Sequence, residues 1–297
     1  MTLTPDLTGG GPIDPGSAPA RMAWGRFRAN PAAMAGLIVL TLMVFAVLVV
    51  PALLPYAPTD IDLRHIREAP SGAHLLGTDD AGRDVLARLL SGGRISLLVG
   101  FATAASALAL GTFLGVVSGY LGGVIDLFIT RLTELFMAVP SVLVVIVLAG
   151  VLGPSVPLLI GLIALFSWPT SCRIARSVVL SVRELEYVQA AHAAGTKGWR
   201  ILVRHLLPNV IPQVAISGAL LVAGAILAEA GLSFLGLGVT PPAASWGNML
   251  QEVGSFTKLT GLPWLWLPAG AAMSLTTLSV IFIGDGLRDA LDPRGSR

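Results

Sequence analysis

The chain has 297 residues, 54% of them hydrophobic and only 12% charged, with a mean hydropathy of +0.80 and a formal net charge of +2. So apolar a composition exceeds what a soluble domain needs to fill its core, and so small a charge gives no support to a nucleic-acid partner. A single cysteine, Cys172, excludes an internal disulfide and any CxxC site.

In chain order, residues 1 to 31 open with Pro5, Pro12, Pro15 and Pro19 among glycines, a composition that predicts a flexible cytoplasmic tail. They lack the apolar core of a cleavable signal peptide, so the first apolar run reads as an uncleaved anchor. Runs long enough to cross a bilayer lie near 33 to 51, 95 to 117, 127 to 149, 156 to 176, 209 to 228 and 264 to 284. These six transmembrane helices predict an all-α integral membrane protein with both termini on one side. Arg21, Arg26 and Arg28 before the first span, Arg183, Lys197, Arg200 and Arg204 after the fourth, and Arg288, Arg294 and Arg297 after the sixth place that side in the cytoplasm.

The chain divides accordingly. Residues 32 to 94 hold the first span and an extracytoplasmic loop, 95 to 284 a five-helix core, and 285 to 297 a cytoplasmic tail. Within the loop, Val85, Leu86, Leu89 and Leu90 share a helical face, with Asp84 and Arg88 four apart on another, which predicts a short interfacial helix before span two. Span two carries Gly111, Gly115 and Gly119 at four-residue spacing, a ridge for close helix packing. Pro140, Pro169 and Pro212 predict kinks in spans three, four and five. Ionisable side chains within spans are costly unless paired or facing water, so Arg131, Glu134 and Glu229 are candidates for a pathway or gating role. Arg131 and Glu134, three apart, are also placed to pair with each other, and Glu229 either faces a water-filled path or bonds to backbone groups.

Enzyme signatures are missing. Neither Lys197 nor Lys258 follows the glycines of a phosphate-binding loop, and His65, His74, His192 and His205 are scattered. GLSFL at 231 to 235 lacks the closing glycine of a nucleophile elbow and follows a span. No catalytic, cofactor or metal site is expected in this chain.

The most informative polar stretch is EYVQAAHAAGTKGWRILVRHLLPN, from Glu186 to Asn209, which overlaps the loop of residues 184 to 208. Tyr187, Ala190, Ala191 and Ala194 form one narrow helical stripe, and Gly195 ends that helix. Trp199, Leu202, Val203 and Leu206 form the apolar face of a second helix, with Lys197, Arg200 and Arg204 opposite and Pro208 as its stop. A helix pair with a small-residue face between two spans suits docking of a soluble partner. An apolar face resting on the membrane is the plainer alternative.

These residues resemble the EAA loop of ABC-importer permeases: Gln189, Ala190, Ala191, Gly195, Leu207 and Pro208 fall at matching positions, with Glu186 and Tyr187 just before them. Gln189 replaces the family glutamate and His205 the usual aliphatic residue, as in the peptide and nickel branch. GTDDAGRDVLARLLSGGRISL at 77 to 97, AEAGLSFLGLGVTPPAASWGNML at 228 to 250 and GDGLRDALDPR at 284 to 294 resemble the C-type permease subunit of that branch. The resemblance implies a type I importer fold with cytoplasmic coupling helices in the bacterial cytoplasmic membrane. It also implies a second permease subunit, two ATP-binding subunits or one fused ATPase that carry ATP and magnesium, and an extracytoplasmic substrate-binding protein. Peptides are the implied cargo, with a nickel chelate or other small solute as alternatives. A gradient-driven transporter or channel acting alone is the competing class, resting on the intramembrane acids and kinked spans.

Overall fold

The computed structural model describes residues 19–291, and its regular structure is helical. Helix α1 (Pro19–Ala29) leads into α2 (Pro31–Val49) through Asn30, whose side-chain oxygen accepts from the Ala32 and Ala33 amides and whose Nδ2 donates to Asp289 at 3.1 Å. Phe27 is buried with Ala33 and Ala290. The tail expected over residues 1 to 31 is therefore corrected: 19–29 form a packed helix because Phe27 has an apolar seat, while 1–18 lie outside the described residues. At the other end α12 (Leu267–Leu291) runs well into the tail expected from 285, and Arg294 and Arg297 lie outside the described residues.

Helix α3 (Val85–Leu121) is 37 residues long, capped by Asp84, which accepts from the Ala87 amide at 2.8 Å. It fuses the expected interfacial helix with span two. Val85 and Leu90 are buried, and Val85 and Leu89 join a cluster containing Trp246, Met249 and Leu265, so the apolar face is covered by protein and not by membrane. The glycine ridge packs on α6 (Val156–Arg183): a Cβ on Gly111 would lie 2.5 Å from the Trp168 carbonyl oxygen, one on Gly115 would strike the Cys172 carbonyl, and one on Gly119 would meet Val179 at 2.9 Å. Contacts advance together along both helices, so α3 and α6 run parallel.

Parallel neighbours require a crossing between them. It is made by α4 (Gly123–Ala138) and α5 (Ser141–Leu152), bent 78° apart at Val139 and Pro140. Val139 is extended, at φ −93° and ψ 131°, as the residue before a proline prefers, so the kink expected at Pro140 is a complete break. Pro169 and Pro212, in contrast, sit inside continuous helices.

Helix α9 (Leu207–Phe234) is antiparallel to α3, with Glu229 at Ser96, Ile226 at Gly100 and Gly218 at Leu108. α12 is antiparallel to α9 through Gly284 and Ala219, and α2 to α12 through Gly36 and Ser279. The result is a six-crossing bundle with the broken pair counted as one span. Both described ends lie at the same, proximal end as residues 184–206. The distal end carries residues 50–84 and the connection 235–266, which includes α10 (Trp246–Gln251) and α11 (Phe256–Gly261).

Candidate functional site

At the proximal end α7 (Glu186–Ala193) and α8 (Gly198–Ile201) form the expected helix pair. Gly195, at φ +73°, ends α7: its amide bonds to the His192 carbonyl at 3.0 Å and the Thr196 amide to the Ala191 carbonyl at 3.1 Å, a left-handed cap suited to glycine. Val188 anchors α7 in a cluster with Ile201, Leu206, Val210 and Val182. Glu186, Tyr187, Gln189 and Ala190 are exposed and Ala191 is half-buried, so the small-residue face is turned outward.

The second helix departs from its expected pattern. Ile201 and Leu206 are buried, Leu202 is half-buried, and Trp199 and Val203 point outward at 62% and 52% exposure. The register shifts because α8 gives way to a wide π turn over Leu202–Leu206, in which the Leu207 amide reaches the Leu202 carbonyl. Pro208 does not stop the helix. It occupies the second position of α9, where its missing N–H is tolerated after the widened turn, and the helix runs on from Gly198 to Phe234.

Both departures from the EAA pattern have local partners. The Gln189 amide donates to the Glu184 carbonyl at 3.3 Å, and the His205 ring lies 5.8 Å from that of Tyr187, bridging α7 to the π turn. Gly198 admits the Tyr120 hydroxyl, which a Cβ there would meet at 2.5 Å. Arg183 donates to the Gly119 carbonyl at 2.9 Å, tying the start of the loop to α3.

The three ionic candidates separate. Arg131 and Glu134 pair at 2.7 Å on the exposed face of α4. Glu229 lies apart from them, fully buried: its carboxylate accepts from Ser96 Oγ at 3.0 Å and Ser233 Oγ at 2.6 Å. It meets side-chain hydroxyls where a water path or backbone groups were expected. Those hydroxyls in turn accept the amides of Trp246 and Val239, so Glu229 fastens the connection after α9 to α3.

A distal charge cluster escaped the sequence reading. Arg88, 1% exposed, does not pair with Asp84. It donates to Asp79 and, at 2.6 and 2.8 Å, to Glu252, while Asp84 bonds to His74 at 2.9 Å. Asp80 takes Arg67 at 2.5 Å and also Lys258. Burial raises the Asp80 pKa, but bonds from Lys258 and Arg67 outweigh it and hold the carboxyl below its usual value. The acid-rich run GTDDAGRD was the available signal. Its partners, Glu252 just past the end of α10 and Lys258 in α11, are too distant in sequence for spacing to reveal.

Residues 111–297 match the family of binding-protein-dependent transport system inner membrane components, and residues 18–70 match the N-terminal transmembrane domain of oligopeptide transport permease C. The chain belongs to this ABC-importer permease family. The permease is 46% identical to a putative peptide permease protein of Brucella suis, over 95% of this chain and 93% of that one. It is 38% identical to the dipeptide transport system permease protein DppC of Alkalihalophilus pseudofirmus, over 98% and 96% of the two chains. With the oligopeptide transport system permease protein OppC of Haemophilus influenzae the identity is 40%, over 91% and 86%. A solved structure of the MetNI methionine ABC transporter in inward-facing conformations shares the fold at a TM-score of 0.56 and 15% identity, over 69% of this chain and 97% of that one. The type I importer fold and the C-type assignment are thus both established, and the chain is a multi-pass transport permease.

Proposed function

We propose that the permease forms half of a peptide-conducting pathway across the cytoplasmic membrane, with a second permease subunit as the other half. The observation that carries this reading is the exposed face of α7, Tyr187, Ala190 and Ala191, held at the bundle end by buried Val188. In this reading Glu186, Tyr187, Gln189, Ala190, Ala191, Gly195, Leu207 and Pro208 make the coupling element. It seats on an ATP-binding subunit, one of two or half of a fused ATPase, which holds ATP and magnesium. Both termini then lie in the cytoplasm, as the arginines flanking the spans favour, and the distal loops receive an extracytoplasmic binding protein.

Dipeptide and oligopeptide relatives favour peptides over a nickel chelate as cargo. A transporter driven alone by an ion gradient has less support, since Glu229 is sealed from solvent. The test is Ala190→Trp in the reconstituted importer. Bulk on this face should abolish peptide uptake and peptide-stimulated ATP hydrolysis while the partner permease still co-purifies. Wild-type uptake by that variant would overturn the docking assignment.

A further inference from the structure

Helix α6 has two unlike faces. One, with Trp168, Cys172, Ala175 and Val179, is buried, and the glycine ridge of α3 packs on it from Trp168 to Val179. The other carries Phe166, Ser167, Thr170, Arg173 and Ser177 at helical spacing, and each of these lines a cavity. Toward the distal end the cavity is apolar, about 470 Å³, walled by α5 and α9 as well as by Phe166 and Ser167. Toward the proximal end two cavities of about 550 and 440 Å³ flank Arg173, with Thr133 and Glu134 in one and Thr170 and Gln213 in the other.

Charges along α4 to α6 are otherwise matched. Asp126 is held by Arg176 at 2.5 and 2.7 Å, Glu134 by Arg131, and Glu184 by Arg183. Among the described residues Arg173 has no carboxylate, and its guanidinium donates instead to the Met137 thioether at 3.5 Å. An unpaired guanidinium within a span is costly unless water or an anion meets it, and its planar fork matches a carboxylate.

We propose that this face of α6 lines the translocation path and that Arg173 is a transit site for the terminal carboxylate of the peptide. The assignment rests on the peptide-importer reading above. The hydroxyls of Thr170 and Ser177 and the Gln213 amide can serve the peptide backbone, which is common to all sequences, while the apolar distal cavity takes side chains without fixed direction. A carboxylate and a backbone are the features shared by every peptide, so the site discriminates by class and not by sequence.

The test uses the complete importer, with partner permease, ATP-binding subunits and binding protein, in zwitterionic liposomes. Uptake of one dipeptide is compared as free acid and as C-terminal amide, each at a concentration that saturates the binding protein. The wild type should move the acid about tenfold faster, a ratio equivalent to one good polar contact. Arg173→Gln should bring that ratio to about one, and Arg173→Lys should keep part of it. Ser177→Asp, which places a competing carboxylate one turn from Arg173, should collapse the ratio without removing the guanidinium. An unchanged ratio in Arg173→Gln and Ser177→Asp, or equal loss of both peptides, would overturn the assignment. Release of the partner permease by Arg173→Gln would give the guanidinium to a subunit contact, and a ratio that appears only with anionic lipid would give it to a phosphate; either result also overturns the assignment. Wild-type liposomes that take up neither peptide would sink the peptide-importer reading itself.

Discussion

Replacing Val188 by alanine tests how α7 is held. Val188 is 4% exposed and packs with Ile201, Leu206 and Val210. Removing two methyl groups forfeits about 0.8 kcal/mol each, and the small residual cavity brings the loss to about 2 kcal/mol. Beyond this side chain α7 is held by the Gln189 amide and the Tyr187–His205 ring contact, so the loss should open α7 locally and leave the bundle folded. A cost of about 2 kcal/mol corresponds to a roughly thirtyfold rise in the open population. Hydrogen exchange by mass spectrometry on the detergent-purified complex reads this directly. Peptides covering α7 should exchange ten- to thirtyfold faster, those covering α3 and α6 should be unchanged, and uptake should fall while the binding protein still loads. Unaltered exchange in α7, or equal acceleration throughout the bundle, would refute a single-peg attachment.

Three further outcomes follow from the same geometry. Gly198→Ala pushes a methyl group against the Tyr120 hydroxyl and should destabilise the loop by about 1–3 kcal/mol in thermal melts; Tyr120→Phe in the same chain should restore most of the loss, and no rescue would disprove the contact. Arg88→Met leaves Asp79, 2% exposed, and Glu252 without that guanidinium, and should cost about 3–5 kcal/mol; a melt within experimental error of wild type would contradict the buried network. The Asp80 carboxyl has its pKa lowered, so its contribution to holding the distal loops is present above its unfolded value of about 3.9 and is lost as pH falls through the folded one. Limited proteolysis of residues 53–84 should therefore accelerate only in acid, and Asp80→Asn should be cut fast at every pH; an onset near neutral pH would contradict the ion pairs.

Span number and the glycine ridge were legible because each depends on composition or on spacing within one segment. Gly111, Gly115 and Gly119 declare a smooth face wherever they occur, and Gly195 declares a left-handed cap. What escaped was set by neighbours. Trp199 and Val203 fit the expected apolar stripe, but one π turn rotates them outward and hands burial to Ile201, a change of register that no local period records. Pro208 carried a stop signal true of an ideal α-helix and not of a widened one. Arg88 sits four residues from Asp84, a spacing that predicts a pair, yet buried Asp79 and the distant Glu252 compete and win. The isolated guanidinium of Arg173 was invisible for the opposite reason: only the structure shows which charges have been claimed by others.

The widened turn has a mechanical meaning as well. From Gly198 to Phe234 the chain is one uninterrupted helical rod of 37 residues, about 55 Å at the rise of an α-helix. Its proximal tip belongs to the proposed docking pair, and near its far end Glu229 grips Ser96 and, through Ser233, the backbone of Val239. A thrust applied at the tip therefore travels to the distal surface without crossing a loop, as in a push-rod. The π turn, where the backbone ladder is widened close to the tip, is a place along it where such a stroke can be absorbed as bending or let through as axial motion.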